Sequence, residues 1–138
     1  MEIVEIKPGL YQSSAFIDQD FSQLKKLNIG VVIDLKGGFD PQFPGLISFL
    51  YWPIEDMPWL PDKEQLHSVA EYGYRMWKKS QQKVLVHCSG GLNRSGLVNG
   101  VILNCDGMPG KDAVKLIREK RLGALFNLVF ASYLESLK

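Results

Sequence analysis

Apolar residues fall along this 138-residue chain in two rhythms. Crowded β-branched runs predict strands buried on both faces, and apolar positions three and four residues apart predict helices with one buried side. Val31-Val32-Ile33-Asp34-Leu35 and the run from Lys83 to His87 are of the first kind. Ile3 to Ile6 and Leu10 to Ser13 read as shorter strands broken by Pro8-Gly9, and Phe49 to Ile54 as another, ended by Pro53 and a polar loop. Phe21, Leu24 and Leu27 have helical spacing within Asp18 to Leu27. Asp62, after Pro61 and three residues before Gln65, resembles a capping box. It opens a helix to about Lys79, with Leu66, Val69, Ala70, Tyr74 and Trp77 on one side. Arg94 to Cys105 predicts a further helix. Pro109 suits the first turn of the next, with Ala113, Leu116 and Ile117 facing inward, and a last helix covers Leu125 to Leu137. Strands alternating with helices predict an α/β fold, a mostly parallel central sheet of about four to five strands flanked by helices. The Pro/Gly-rich stretch from Gly37 to Gly45 is a loop inside a single domain spanning 1–138, because both flanks read as strand.

Composition narrows the possibilities. With 46% apolar and 22% charged residues the chain has a globular balance, and its length buries a core without a disulfide or metal staple. A net charge of +1 gives no support for a general polyanion binder, so nucleic acid is not expected as a partner. The two cysteines, Cys88 and Cys105, exclude a disulfide-rich scaffold and leave room for one reactive thiol. The first ten residues lack the apolar core of a signal peptide, and no apolar run approaches a membrane span. The expectation is a soluble, cytoplasmic protein with no membrane association.

The informative segment is Val84-Leu85-Val86-His87-Cys88-Ser89-Gly90-Gly91-Leu92-Asn93-Arg94-Ser95-Gly96. A buried strand delivers a cysteine into a glycine-containing loop, which runs into a helix. The carboxyl end of a strand is where α/β sheets place active loops. The amides of Ser89, Gly90, Gly91, Leu92, Asn93 and Arg94 can converge into an anion nest at the helix N-terminus. Arg94 lies six residues after Cys88, so the loop can fold back and let the guanidinium clamp two phosphate oxygens. The same positive surroundings favour the nucleophilic thiolate. Cys105 lacks every part of this context: its sixth successor is Lys111 and no glycine loop follows it.

His87-Cys88-x-x-Gly91-x-x-Arg94-Ser95 resembles the signature of the cysteine-dependent protein tyrosine phosphatases, in particular the small atypical dual-specificity branch. Other segments are similar to that family too: Pro8 to Ser13 to its entry strand, Val32-Ile33-Asp34-Leu35 to a core strand, and Pro53-Ile54-Glu55-Asp56 to its acid loop. Ala113 to Arg121 and Leu125-Phe126-Asn127-x-x-Phe130 resemble its closing helices. The resemblance implies that Cys88 attacks phosphorus and forms a phosphocysteine, while Arg94 and the loop amides hold the equatorial oxygens. It implies Asp56 as the acid that protonates the leaving group and then activates water. Glu55 and Asp62 compete for that role. Ser95 is implied as a hydrogen-bond donor to the departing sulfur, and His87 as a brace beneath the loop. No metal or cofactor is called for.

Two positions depart from the commonest family pattern. Gly90 stands where alanine is frequent, and Asn93 where glycine or serine is common. An Asn-Arg pair also resembles RNA 5′-triphosphatase relatives. The leading expectation is a monomeric protein phosphatase acting on phosphotyrosine, with phosphoserine and phosphothreonine as further substrates. A phosphorylated protein or a small aryl phosphate would be its partner. An RNA 5′-triphosphatase or a phosphate-binding pseudo-phosphatase is the alternative. Trp52, Trp59 and Trp77 read as packing residues, with Trp59 placed to border the cleft. Arg118-Glu119-Lys120-Arg121 reads as a solvated face with Arg121 within reach of substrate, Asn127 as a helix-packing or loop-bracing amide, and Cys105 as helix packing.

Overall fold

The computed structural model describes residues 1–38 and 47–138. Most of the expected Gly37 to Gly45 loop therefore lies outside the described residues. The chain runs β1 (Ile3–Lys7), β2 (Leu10–Ser13), a 3-10 turn (Asp18–Asp20), α1 (Phe21–Lys26), β3 (Ile29–Asp34), β4 (Ser48–Tyr51) and α2 (Lys63–Tyr74). Then follow a π-helical turn (Arg75–Lys79), β5 (Lys83–His87), α3 (Arg94–Cys105), α4 (Gly110–Lys120) and α5 (Leu128–Glu135). The five strands form one sheet in the order β1-β2-β5-β3-β4. Among the described residues only the β1–β2 pair is antiparallel; β2, β5, β3 and β4 run parallel. This is the mostly parallel sheet the residue pattern predicts.

The strand register does the positioning. Ser13 pairs with His87, His87 with Asp34, and Asp34 with Tyr51, so the carboxyl ends of the parallel strands stand in one row. The loops that leave β5 and β4 therefore start side by side. Side chains alternate across the sheet as the pleat requires. Val31, Ile33, Leu35, Val84, Val86 and Cys88 join the large core beneath α2 to α5. Val32 and Leu85 join the smaller core with Phe16 and Leu24 on the other face. Helix α3 is buried from Ser95 to Leu103, since it lies between the sheet and the other helices.

Several boundaries differ from the residue pattern, each for a local reason. The strand expected from Phe49 to Ile54 ends as regular structure at Tyr51, because Pro53 has no N–H to donate. The path still follows β3, with Trp52 N–H donating to the Asp34 carbonyl at 2.9 Å and Ile54 N–H to that of Leu35 at 3.2 Å. The segment read as a helix from Asp18 to Leu27 opens with a 3-10 turn and becomes α-helical at Phe21. Pro109 sits just before α4 rather than in its first turn. The last helix begins at Leu128 instead of Leu125. Leu125 adopts φ +57°, a costly left-handed conformation for leucine. That turn buries Leu125 completely and brings it against Gly96, where a Cβ would lie 2.9 Å from Leu125 Cδ2. Cys105 is exposed, a correction to its reading as a packing residue. It closes the last turn of α3, two residues beyond the last buried position, Leu103.

At Gly110 the backbone of α4 lies directly against the end of α5, its N–H donating to the Leu137 carbonyl at 2.9 Å. A Cβ on Gly110 would fall 1.6 Å from the Leu134 carbonyl oxygen. Gly110→Ala is expected to force the two helices apart and cost about 2–3 kcal/mol, the scale of overpacking a tight core. Urea unfolding measures this, and a loss below about 0.5 kcal/mol, the scale of an ordinary surface substitution, would refute it.

Candidate active site

β5 ends at His87 and α3 begins at Arg94, so Cys88 to Asn93 form the whole connection. Cys88 is only 2% exposed and turns into the large core, its Sγ 3.4 Å from the buried Ser95 Oγ. His87 faces the other way, as a period-two strand demands. Its ring packs 4.5 Å from that of Phe16, with Nε2 3.4 Å from Asp34 Oδ1 and Nδ1 3.4 Å from the Cys88 carbonyl oxygen. His87 thus sits where a brace beneath the loop would.

The loop's own carbonyls are all engaged by the surrounding protein. Ser89 C=O accepts from Ala15 N–H at 3.0 Å, Leu92 C=O from Leu125 N–H at 3.2 Å, and Asn93 C=O from Leu97 N–H at 2.8 Å. Gly90 C=O accepts from Arg121 Nη2 at 3.0 Å. Gly91 C=O accepts from Gln12 Nε2 at 2.9 Å and from Arg121 Nε at 3.4 Å. No acceptor among the described residues takes the amides of Ser89 to Arg94. A peptide whose carbonyl is pulled outward presents its N–H on the opposite side. The stretch therefore offers donors inward and keeps acceptors out, the polarity an anion needs. Gly91 makes the turn possible. Its φ is +72°, and a Cβ there would lie 2.6 Å from the Ser13 carbonyl carbon and the Ser14 nitrogen.

Arg94 adds a guanidinium at the head of α3. Its Nη1 donates to the Ile54 carbonyl at 3.2 Å, while its buried Nε has no hydrogen-bond partner among the described residues. A buried, unpartnered donor on a cation beside a row of amides is well suited to a phosphate oxygen.

The three candidate acids separate. Asp62 is engaged as the N-cap of α2, accepting from Gln65 N–H at 2.9 Å. Glu55 lines a cleft of about 250 Å³ with Trp52, Trp59 and Leu60, to which no residue of the cysteine loop contributes. Trp59 therefore borders a cleft, but one next to the acid loop rather than at the cysteine. Of the three, Asp56 alone is tied to the cysteine loop, its Oδ2 accepting from Asn93 Nδ2, and its Oδ1 accepts from Asn127 Nδ2, each at 2.9 Å. Asn127 is the bracing amide expected of it. It also caps α5, accepting from Phe130 N–H at 3.2 Å.

Two contributors were not singled out from the residue pattern. Gln12 and Asn99, both fully buried, form a polar ladder under the loop: Asn99 Nδ2 donates to Gln12 Oε1 at 3.1 Å, and Gln12 reaches Gly91. Their signal was present as an amide in a buried strand and an amide amid the apolar run of α3. Arg121 holds the loop carbonyls and pairs with Glu2, which makes it a loop brace instead of a substrate contact.

Comparison with known proteins places the chain, with its cysteine loop at the carboxyl edge of the sheet, in the protein tyrosine phosphatase superfamily. A family model described as "Polymorphic toxin system, DSP-PTPase phosphatase" matches residues 8–108, and the chain belongs to that family. It is 29% identical over 127 residues to human dual specificity protein phosphatase 13B, covering 86% of this chain and 64% of the relative. The chain spans less than two thirds of the length of that protein and of other curated relatives. Its fold is similar to the crystal structure of the human tyrosine phosphatase-like serine/threonine/tyrosine-interacting protein. There the TM-score is 0.83 at 25% identity, covering 96% of this chain and 93% of the other. Human DUSP28 superposes with a TM-score of 0.85 at 23% identity, covering 96% and 90%.

The second thiol, Cys105, lies at the end of α3. Partial burial, followed by the nearby Glu71 carboxylate, pushes the pKa of Cys105 above that of an ordinary cysteine. Less thiolate is then present at neutral pH. In a Cys88→Ser protein, Cys105 should react with iodoacetamide more slowly than free cysteine at pH 7.5 and catch up as pH rises. Mass spectrometry follows this, and equal rates at pH 7.5 would contradict it.

Proposed function

We propose that the chain is a protein phosphatase that hydrolyses phosphotyrosine, and phosphoserine or phosphothreonine as well, through a phosphocysteine. The observation that carries this reading is the polarity of the cysteine loop, with carbonyls tied outward and amides and Arg94 Nε left as donors around Cys88. In the first step Cys88 Sγ, as thiolate, bonds to phosphorus while the bond to the leaving oxygen breaks. Arg94 and the loop amides carry the charge on the non-bridging oxygens. Asp56 gives its proton to the leaving oxygen. In the second step Asp56 takes a proton from water, the water oxygen bonds to phosphorus, and the S–P bond breaks. Ser95 Oγ, 3.4 Å from Sγ, is placed to donate to the returning thiolate. Phosphate leaves and the enzyme is restored.

Phosphorylated proteins are the partners the family implies. The curated relatives named as dual-specificity phosphatases favour them over an RNA 5′-phosphate. No helix among the described residues is long and apolar enough to cross a membrane. A mechanism that runs through a thiolate needs reducing surroundings, and we assign the protein to the cytoplasm on that ground.

Cys88→Ser should reduce hydrolysis of a phosphotyrosine peptide to background, and rapid quenching of the wild type should leave a phosphate adduct on the peptide containing Cys88. Wild-type turnover in Cys88→Ser would overturn the reading. Asp56→Asn should lower kcat/KM about 100-fold for phenyl phosphate and much less for a substrate with a good leaving group. Equal losses on the two substrates would move the acid elsewhere.

A further inference from the structure

Asparagine is favoured just before a helix because its side-chain oxygen accepts from a first-turn amide. Asn93 occupies that position at the start of α3 and makes no such bond. Its side chain is only 2% exposed and turns away from its own helix. There Nδ2 donates to Asp56 Oδ2 at 2.9 Å, and Oδ1 accepts from Asn127 N–H at 2.9 Å. Asn127 closes the figure, its Nδ2 donating to Asp56 Oδ1 and to the Met57 carbonyl, both at 2.9 Å. The cysteine loop, the acid loop and the start of α5 are thus joined in one cycle of hydrogen bonds.

The cycle admits one orientation of the Asn93 amide. Turned over, it would set an oxygen against the carboxylate and an NH2 against an N–H. Serine, with a shorter arm and a single hydroxyl, cannot reach both partners, and glycine offers neither group. Each Asp56 oxygen is held by one N–H and keeps a second lone pair for the proton it must carry. Asp56 itself is exposed, so without these bonds its carboxyl group would rotate freely in water.

We propose that Asn93 is a positioning residue for the acid: it holds Asp56 against the cysteine loop before substrate arrives. The proposal rests on the phosphatase reading above and assigns a role to the position where this chain departs from the commoner glycine or serine. Orientation of a proton donor counts most where charge develops on the leaving oxygen. The contribution of Asn93 therefore grows as the leaving group becomes poorer. A residue that only shaped the phosphate loop would affect all leaving groups alike. Forgoing the cap also leaves the first amides of α3 to the anion, so one side-chain turn serves both ends of the reaction.

The test is kcat/KM for phenyl phosphate and 4-nitrophenyl phosphate in wild type, Asn93→Ser, Asn93→Gly, Asp56→Asn and the double variant Asp56→Asn/Asn93→Ser. The ratio of the two values, poor leaving group over good, should fall about tenfold in both Asn93 variants, toward the ratio in Asp56→Asn. In the double variant it should fall no further than in Asp56→Asn alone. Asn127→Ser, which keeps a capping oxygen but loses the reach to Asp56, should lower the ratio too, and this covers the case of poorly folded Asn93 variants. An unchanged ratio in the single variants, or the same additional fall in the Asp56→Asn background, would overturn the proposal. If the wild type hydrolyses neither substrate, or if Cys88→Ser matches it, the phosphatase reading itself fails and the role of Asn93 fails with it.

Discussion

A loop that binds a phosphate through its backbone must first dispose of its own carbonyls. Every peptide carries an acceptor beside its donor, and an acceptor left facing an anion repels it. From Ser89 to Asn93 that condition is met by five separate arrangements: Ala15 and Leu125 through backbone amides, Arg121 and Gln12 through side chains, and Leu97 through the first turn of α3. Much of the rest follows from it. The left-handed turn at Leu125 delivers an N–H to Leu92. Asn99 is buried amid the apolar run of α3, where it holds the Gln12 amide toward Gly91. Gly91 must lack a Cβ because the loop passes directly over the end of β2.

Asp56, the proposed acid, is held by the same logic applied to a side chain. Two neutral amides, from the cysteine loop and from the start of α5, each take one oxygen of Asp56. A third tether joins the segments where Arg94 Nη1 reaches the Ile54 carbonyl. The acid loop is thus attached to the phosphate loop on both sides of Glu55, which leaves Glu55 directed to its own cleft. The geometry favours a site assembled in advance, with orientation entropy spent in folding instead of at each turnover.

The backbone plan was largely legible in the residues. β5 and α3 lie where the pattern puts them, because a β-branched run and a buried helix leave strong periodic traces. The ends of elements were less legible where one residue answers to a distant partner. Leu125 looks like the start of a helix, yet its conformation is set by Leu92 and Gly96 across the fold. Cys88 and Arg94 could be singled out because a short motif carries them, and Asp56 because it lies in a Pro-flanked acidic loop. What sets Asp56 apart from Glu55 and Asp62 in the fold, its contacts with Asn93 and Asn127, was not legible, because no spacing rule connects those positions. Arg121, apparently part of a solvated charge run, turned out to face the loop for the same reason.

The alternation along β5 has one more consequence. His87 and Cys88 belong to opposite faces of the sheet, one against Phe16 and the other in the large core. A single-residue insertion or deletion inside the strand would exchange them, putting the imidazole where sulfur belongs. Neighbouring strands would resist a two-residue change less, since it preserves parity. The sheet thus works as a frame-keeper for the thiol, and lineages of this fold should vary in length at the amino ends of the strands, around Asn28 and Gln81, while β5 keeps its count.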